Sequence, residues 1–163
     1  MTKINELEKT ANKINMELRR SSSALILKIP VPLELTAKGL IAKPSTVDYS
    51  GTMQGGLSID YDAKETESKT SFPLANIKEH QLNYLKLKSQ LGGVTFFMIH
   101  FKKVYKDDVF ITPISLIDKY WHDATFKNGR KSIPFKKFKT SWLTPITDYL
   151  KKVREIQDEL RYN

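Results

Sequence analysis

Two aspartates and a lysine occupy positions from which their side chains could converge. Residues 45–66 contain two runs of strand-forming residues around a glycine-rich turn, a pattern that predicts a β-hairpin. Because a strand sends alternate side chains to opposite faces, Asp62 and Lys64 are predicted to share one face of the second strand. Asp48 lies in the first run, with thirteen residues between it and Asp62. Pairing of the two strands can bring Asp48 opposite that face.

Two carboxylates and an amine in this arrangement suit phosphodiester hydrolysis. Carboxylate oxygens favour a hard cation such as Mg²⁺, with Mn²⁺ as an alternative, and such an ion accepts waters and phosphate oxygens as further ligands. A bound metal lowers the pKa of a coordinated water and stabilises the transition state. The ammonium of Lys64 could hold that water or offset developing negative charge. We therefore interpret Asp48 and Asp62 as metal ligands and Lys64 as their catalytic partner.

The same alternation is also typical of a solvent-exposed strand face, and that simpler interpretation stays open. Asp60 lies on the same predicted face. It is either a solvated strand residue or a carboxylate that assists Asp62. The hairpin, the paired Asp48 and the basic character of the chain strengthen the interpretation as a site without displacing the solvated face.

Composition restricts the class of protein and its partners. The 163 residues suffice for one domain, and 27 Lys and Arg against 18 Asp and Glu give a formal net charge of +9. This charge favours a nucleic acid as partner first and an anionic membrane surface second. Cysteine is absent, which excludes disulfides, thiolate zinc sites and cysteine nucleophiles and is compatible with a cytoplasmic location. The longest mainly apolar stretch, residues 94–99, is too short to span a membrane, and no signal peptide is recognised.

Residues 127–139 form a segment rich in cations and free of acids. Four of its cations, together with two residues of an earlier polar stretch, are predicted to bind DNA: Arg130, Lys131, Lys136 and Lys137, with Lys69 and Thr70. Phe135 and Phe138 are interleaved with the cations, which suits phosphate contact with some packing on bases or sugars. The alternative is a solvated loop whose aromatic rings pack inward. For Thr70 and Ser71, capping of the next helix is a second alternative.

Hydrophobic periodicity predicts the remaining elements. They are an amphipathic helix over 4–20, a strand over 24–29, a helix over 74–91 and a strand over 94–101 covered on both faces. Two short strands at 104–105 and 109–111, a helix from Pro113 through Trp121 and a last helix from Thr144 or Pro145 to Leu160 complete the pattern.

Five short motifs occur in a fixed order over about half the chain. They are Thr46–Gly51, Asp62–Thr66, Lys69–Leu74, Glu79–Gln81 and Gly129–Pro134. Together they resemble the RecU family of Holliday junction resolvases. The resemblance implies an α/β, restriction-endonuclease-like (PD-(D/E)xK) nuclease fold with a mixed central sheet flanked by helices, in a single nuclease domain over residues 1–163. It also implies a homodimer and magnesium-dependent symmetric cleavage of four-way DNA junctions.

The resemblance extends to four further candidate positions. Gln81 would contact the metal-bound water, although a glutamine satisfied by backbone is an equal alternative. Glu8 is similar to an acidic helix position of the family's metal site, and its alternative is an ordinary solvated glutamate. Lys28 opens a stretch that is similar to the family's Lys-Pro-x-Pro run and is predicted to contact DNA. Lys69 lies within one of the five motifs.

Two departures from the family pattern keep a second function open. Family members usually carry a longer projection, thought to enter the junction centre, where this chain has only residues 36–43. Asp62 stands where the family more often has Glu. We therefore retain the alternative of a protein that binds junction or branched DNA with weak or broader nuclease activity. The small size and shortened projection favour a phage-encoded member over a bacterial one.

Overall fold

A six-stranded mixed sheet forms the centre of the computed structural model, which describes residues 5–43 and 46–161. The helices are α1 (Glu6–Arg20), α2 (Glu79–Gln90), α3 (Ile114–Phe126) and α4 (Tyr149–Glu155). The strands are β1 (Ala24–Lys28), β2 (Leu33–Thr36), β3 (Gly39–Ala42), β4 (Tyr49–Met53), β5 (Leu57–Thr66), β6 (Ser71–Pro73), β7 (Val94–Phe101), β8 (Asp108–Pro113), β9 (Ser132–Pro134) and β10 (Leu143–Pro145).

The strand order of the main sheet is β1-β4-β5-β7-β8-β10. Strands β5 and β7 run parallel at its centre, and the other neighbouring pairs are antiparallel. Seven of the eight residues of β7 are buried, as expected for a strand covered on both faces. Two small ribbons, β2 with β3 and β6 with β9, lie outside this sheet.

Helices cover both faces of the sheet and divide the core into two clusters. On one face α1 and α4 pack through buried residues that include Leu7, Ala11, Ile14, Leu150 and Val153. On the other face α2 and α3 pack through residues that include Leu82, Leu85, Ile114 and Ile117. The predicted α/β architecture, a mixed central sheet flanked by helices, is therefore confirmed. Within the part of the chain that the structure describes, none of the helices has the length and apolar character needed to cross a membrane.

Several predicted boundaries are wrong, and each error has a local cause. The helix predicted over 74–91 begins only at Glu79, because Leu74–Asn76 forms one 3₁₀ turn after β6. Residues 104–105 lie in a turn after β7 and form no strand. The helix after Pro113 runs on to Phe126, five residues past Trp121. The predicted last helix is divided into β10, a 3₁₀ turn and the short α4.

Strands β2 and β3 form a hairpin at the chain position where the resemblance placed a shortened projection. Its eight strand residues are exposed except for a half-buried Thr36. Leu35 is 78% exposed and Leu40 is 69% exposed. A projection is therefore present and short, and it is apolar on its surface. Residues 44 and 45, where the predicted central hairpin begins, lie outside the described residues.

Candidate active site

Asp48 and Asp62 are interlocked by hydrogen bonds that involve both main chain and side chain. Tyr49 pairs with Tyr61 across β4 and β5, which places Asp48 opposite Asp62. The backbone N–H of Asp48 donates to Oδ1 of Asp62 at 2.9 Å. In return, the backbone N–H of Ala63 donates to Oδ2 of Asp48 at 3.1 Å. The convergence of the two aspartates expected from the hairpin pattern is therefore present in the structure.

Lys64 and Gln81 complete the surroundings of Asp62. The Nζ atom of Lys64 lies 2.8 Å from Oδ2 of Asp62. Gln81, in the first turn of α2, donates from Nε2 to Oδ1 of Asp62 at 3.4 Å and accepts from the backbone N–H of Lys78 at 3.2 Å. The side chain of Gln81 is therefore satisfied by backbone at Oε1, as one alternative predicted, while its Nε2 reaches the aspartate; its contact with a metal-bound water stays a prediction.

The carboxyl group of Asp62 has no contact with solvent. Its side chain is fully buried, and apart from the ion pair with Lys64 its Oδ2 atom has no hydrogen-bond partner among the described residues. Burial raises the pKa of Asp62 to about 7, and the neighbouring charge of Asp48 adds to the effect while Lys64 opposes it. A cation beside this oxygen would stabilise the ionised carboxylate.

Glu8 and Lys28 stand next to Asp48 on the side of α1. The Nζ atom of Lys28 lies 3.0 Å from Oδ1 of Asp48 and 3.8 Å from Oε1 of Glu8. It also lies 5.2 Å from the centroid of the Tyr49 ring. Burial, followed by the charge of Asp48, raises the pKa of Glu8. Lys28 is therefore engaged by carboxylates inside the candidate site, a role that its sequence motif did not indicate.

The donor set fits a metal ion that shares its coordination with substrate. Among the described residues no three acidic or histidine side chains form a cluster that could enclose a metal. Asp48 and Asp62 nevertheless present two adjacent carboxylates, and the buried Oδ2 atom of Asp62 has only the Lys64 ammonium group beside it among the described residues. Mg²⁺ is commonly held by one or two carboxylates together with waters and substrate phosphates. The two aspartates fit that pattern.

Asp60 is neither a solvated strand residue nor a member of the Asp62 cluster. It is fully buried beneath α2, where Oδ1 accepts from the hydroxyl of Tyr84 at 3.4 Å and Oδ2 lies 3.3 Å from Nζ of Lys88. These contacts hold α2 against β5 at Asp60, which lies between Asp62 and the turn of the hairpin. Asp60 therefore orients the helix that supplies Gln81.

A buried polar network fixes α1 on the other face of the same strands. The Tyr49 hydroxyl donates to Oδ1 of Asn12 at 2.7 Å. Nδ2 of Asn15 donates to the Tyr61 hydroxyl at 3.1 Å, that hydroxyl donates to Tyr149 at 3.2 Å, and Tyr149 donates back to Oδ1 of Asn15. Burial raises the pKa of all three phenols, so they remain donors at neutral pH. The two asparagines on the apolar stripe of α1 were the only sequence signal of this network.

Six of the seven residues predicted to bind DNA lie at the two ends of one ribbon, and the seventh, Lys28, lies beside Asp48. Strands β6 and β9 pair antiparallel, so that Lys69 and Thr70 lie beside Phe135 at one end, with Arg130 and Lys131 at the other. The carbonyl of Thr70 accepts from the backbone N–H of Phe135 at 2.9 Å, and that of Lys131 accepts from Leu74 at 3.0 Å. The six predicted contacts, Lys69, Thr70, Arg130, Lys131, Lys136 and Lys137, are all exposed. Arg130, Lys131, Lys136 and Lys137, the four of these residues in the segment 127–139, form no ion pair with any residue that the structure describes.

The side chains of residues 127–139 show which way the aromatic rings and the cations of this segment face. Phe138 is buried, and the Phe135 ring packs edge-on against Phe101 with centroids 5.0 Å apart. These aromatic rings therefore face the core, while the cations face outward. Neither Thr70 nor Ser71 caps α2, because Lys78 precedes that helix and both residues belong to the ribbon.

Comparison with known proteins gives a consistent match over most of the chain. The family model described as Recombination protein U matches residues 3–155. A protein named Holliday junction resolvase RecU from Pediococcus pentosaceus is 34% identical, covering 94% of this chain and 84% of the relative. The protein of the same name from Limosilactobacillus fermentum is 35% identical over 88% and 75% of the two chains. That from Staphylococcus aureus (strain JH9) is 36% identical over 92% and 79%.

Proposed function

Because this chain belongs to the RecU family, we propose that it is a structure-selective DNA endonuclease that resolves four-way junctions by paired symmetric nicks with the aid of Mg²⁺. The observation that supports this most directly is the convergence of Asp48, Asp62 and Lys64 at one partly buried site. In the proposal the chain forms one nuclease domain of the restriction-endonuclease-like type. It would act where cellular or phage DNA recombines, in the cytoplasm of a bacterial or phage-infected cell.

The chemistry assigns a role to each side chain of the site. Mg²⁺, with Mn²⁺ as a substitute, would supply charge neutralisation at the scissile phosphate and a water of lowered pKa. Asp48 and Asp62 are the proposed ligands, and their interlocked backbone contacts hold both carboxylates in place before substrate arrives. Lys64, beside Asp62, would hold the attacking water and offset the negative charge that develops on the phosphate.

Gln81 and Glu8 have supporting positions in the same scheme. Gln81 anchors the first turn of α2 and reaches Asp62, which places its amide group to orient the attacking water. Glu8 faces Asp48 across the ammonium group of Lys28. It can reach an ion at the aspartates only when that ammonium moves out of the gap.

The ribbon β6–β9 is the proposed DNA contact. Exposed cations that form no ion pair among the described residues flank its two strands, and β6 follows in the chain from β5, which carries Asp62 and Lys64. Phosphate contacts position a duplex without reading its sequence, which suits recognition of a branched shape. The formal charge of +9 supports the same partner.

We further propose that two copies of the chain act together, since symmetric nicks in two strands require two sites related by a two-fold axis. Strand β1 lies at the edge of the main sheet and exposes Leu25 and Leu27. The adjacent β2–β3 hairpin exposes Leu33, Leu35, Leu40 and Ile41. An apolar surface of this kind favours a protein interface. Leu27→Asp should shift the molar mass in light scattering from dimer to monomer, and an unchanged mass would place the interface elsewhere.

A synthetic four-way junction labelled in turn on each strand tests the catalytic proposal. With Mg²⁺ we expect nicks at symmetric positions in two strands of like polarity. Asp62→Asn and Lys64→Met should lower the rate by about 10²–10⁴-fold, whereas Lys151→Met, an exposed lysine of α4, should cut like wild type. A folded wild-type chain that nicks no junction across a range of pH and with either Mg²⁺ or Mn²⁺ would refute the nuclease proposal.

The second candidate function is a junction- or branched-DNA-binding protein with weak or broader nuclease activity. The short β2–β3 hairpin and the aspartate at position 62 favour it. Competition between a junction and a linear duplex of equal length separates the two candidates. Preferential binding without cleavage supports the second candidate, and equal cutting of both substrates indicates a nuclease without junction preference.

A further inference from the structure

Lys28 is held in a position that a free surface lysine would not adopt. It is the last residue of β1 and pairs with Tyr49 of β4. The next residue, Ile29, donates its backbone N–H to the carbonyl of Asp48 at 2.7 Å. The main-chain pairing therefore places the Lys28 side chain beside Asp48. The ammonium group of Lys28 lies 5.2 Å from the centroid of the Tyr49 ring.

The ammonium group of Lys28 occupies the space between two carboxylates. Its Nζ atom is 3.0 Å from Oδ1 of Asp48 and 3.8 Å from Oε1 of Glu8. The side chains of Glu8 and Asp48 are 17% and 16% exposed, so the Lys28 ammonium compensates two largely buried carboxylates, of which Asp48 also accepts from the backbone N–H of Ala63. A Mg²⁺ ion bound to both carboxylates would need oxygens at about 2.0–2.1 Å and would claim the same space.

The formal charges of the site favour one divalent ion over two. Glu8, Asp48 and Asp62 carry three negative charges when ionised, and Lys28 and Lys64 carry two positive ones. One divalent cation and one singly charged phosphodiester bring the sum to zero. A second divalent cation would leave an excess of two positive charges in a partly buried site, which is unfavourable.

We propose that the Lys28 ammonium takes the place of a second metal ion between Glu8 and Asp48, so that each chain binds one divalent ion, at the Asp48–Asp62 pair. The inference rests on the proposed function, since it concerns the metal of that site. In this proposal Glu8 is a positioning residue for the Lys28 ammonium group and is not a ligand of the metal. Lys28 then acts inside the site and does not belong to the exposed DNA-binding ribbon.

The number of Mn²⁺ ions bound per chain tests this, measured by calorimetry and by the electron paramagnetic resonance signal of free Mn²⁺. Wild type and Lys28→Arg should bind one ion, as should Lys151→Met, the matched control at an exposed site. Lys28→Met should bind two, because the gap between Glu8 and Asp48 is then open to an ion. Lys28→Met combined with Glu8→Gln should return to one.

One further variant decides the proposal even if Lys28→Met folds poorly, which circular dichroism would show. Glu8→Gln alone should leave the affinity for the single ion within about threefold of wild type, since Glu8 is not its ligand. Two ions in wild type, one ion in a folded Lys28→Met chain, or loss of Mn²⁺ binding in Glu8→Gln would overturn the proposal. Failure of the proposed function is a separate result, because it appears as an absence of junction cleavage whatever the ion count.

Discussion

Replacement of Lys88 by methionine probes whether a buried charge pair holds α2 on β5. Asp60 has no exposed surface, and its carboxylate contacts Nζ of Lys88 at 3.3 Å and the Tyr84 hydroxyl at 3.4 Å. Methionine keeps most of the aliphatic stem of lysine and removes its charge. The Asp60 carboxylate would then be left with one long hydrogen bond in a buried position.

The expected cost follows from the burial of the two partners. Removing one partner of a fully buried ion pair costs about 3–5 kcal/mol, because the remaining charge stays buried and unpaired. The Lys88 side chain is 31% exposed, so solvent already screens part of the interaction. We therefore expect Lys88→Met to lower the free energy of unfolding by about 2–3 kcal/mol. In a chain of this size that lowers Tm by roughly 4–12 °C.

Urea unfolding of a double-mutant cycle provides the assay. The single variants are Lys88→Met and Asp60→Asn, and the double variant combines them, with Lys151→Met as the control for loss of an exposed lysine. The double variant should lose less stability than the sum of the single ones, since an asparagine leaves no charge to compensate. A loss below about 0.5 kcal/mol in Lys88→Met, or additivity within about 0.5 kcal/mol, would refute the argument.

Three further predictions concern pH, salt and the sheet edge. Because burial raises the pKa of Asp62 from 3.8 to about 7, the metal-free folded chain retains a proton that the unfolded chain loses. Stability in EDTA should therefore fall as pH rises from about 4 to about 7, by up to about 1.4 kcal/mol per pH unit, and Asp62→Asn should lack this decline in urea titrations. Arg130→Ala or Lys131→Ala should each reduce the log–log salt slope of junction binding by about one, and an unchanged slope would place the ribbon away from DNA. Gly51→Ala should destabilise the β1–β4 pairing, since a Cβ there would lie 1.9 Å from the Leu25 carbonyl oxygen, and unchanged hydrogen-exchange protection of β1 would contradict this.

The central hairpin was predictable because its information is local. Alternation along β5 places Asp62 and Lys64 on one face whatever the rest of the fold, and the glycine-rich turn sets the pairing that brings Asp48 opposite. The burial of β7 on both faces was equally visible, as a continuous apolar run. Of the site residues, Asp62 and Lys64 lie on β5 and Asp48 immediately precedes β4.

The environments of Asp60 and Lys28 depend on long-range packing and escaped prediction. Asp60 belongs to the same alternating pattern as Asp62, and only the placement of α2 over that face turns it from a solvated residue into a buried one. Lys28 reaches Asp48 because β1 pairs with β4, a contact between segments separated by the β2–β3 hairpin. Periodicity within one segment contains no information on either contact.

The pairing of β6 with β9 has a consequence for how the proposed DNA-facing surface can change. Phe72 and Ile133 lie opposite each other in this ribbon, and neither has any exposed surface. A slip of one residue in their register would turn both apolar side chains outward, at the cost of two buried anchors. The burial of Phe72 and Ile133 therefore fixes the register of the ribbon and, with it, the spacing of the cations on either side. Insertions or deletions are best tolerated outside residues 70–74 and 131–135, where they do not change this register.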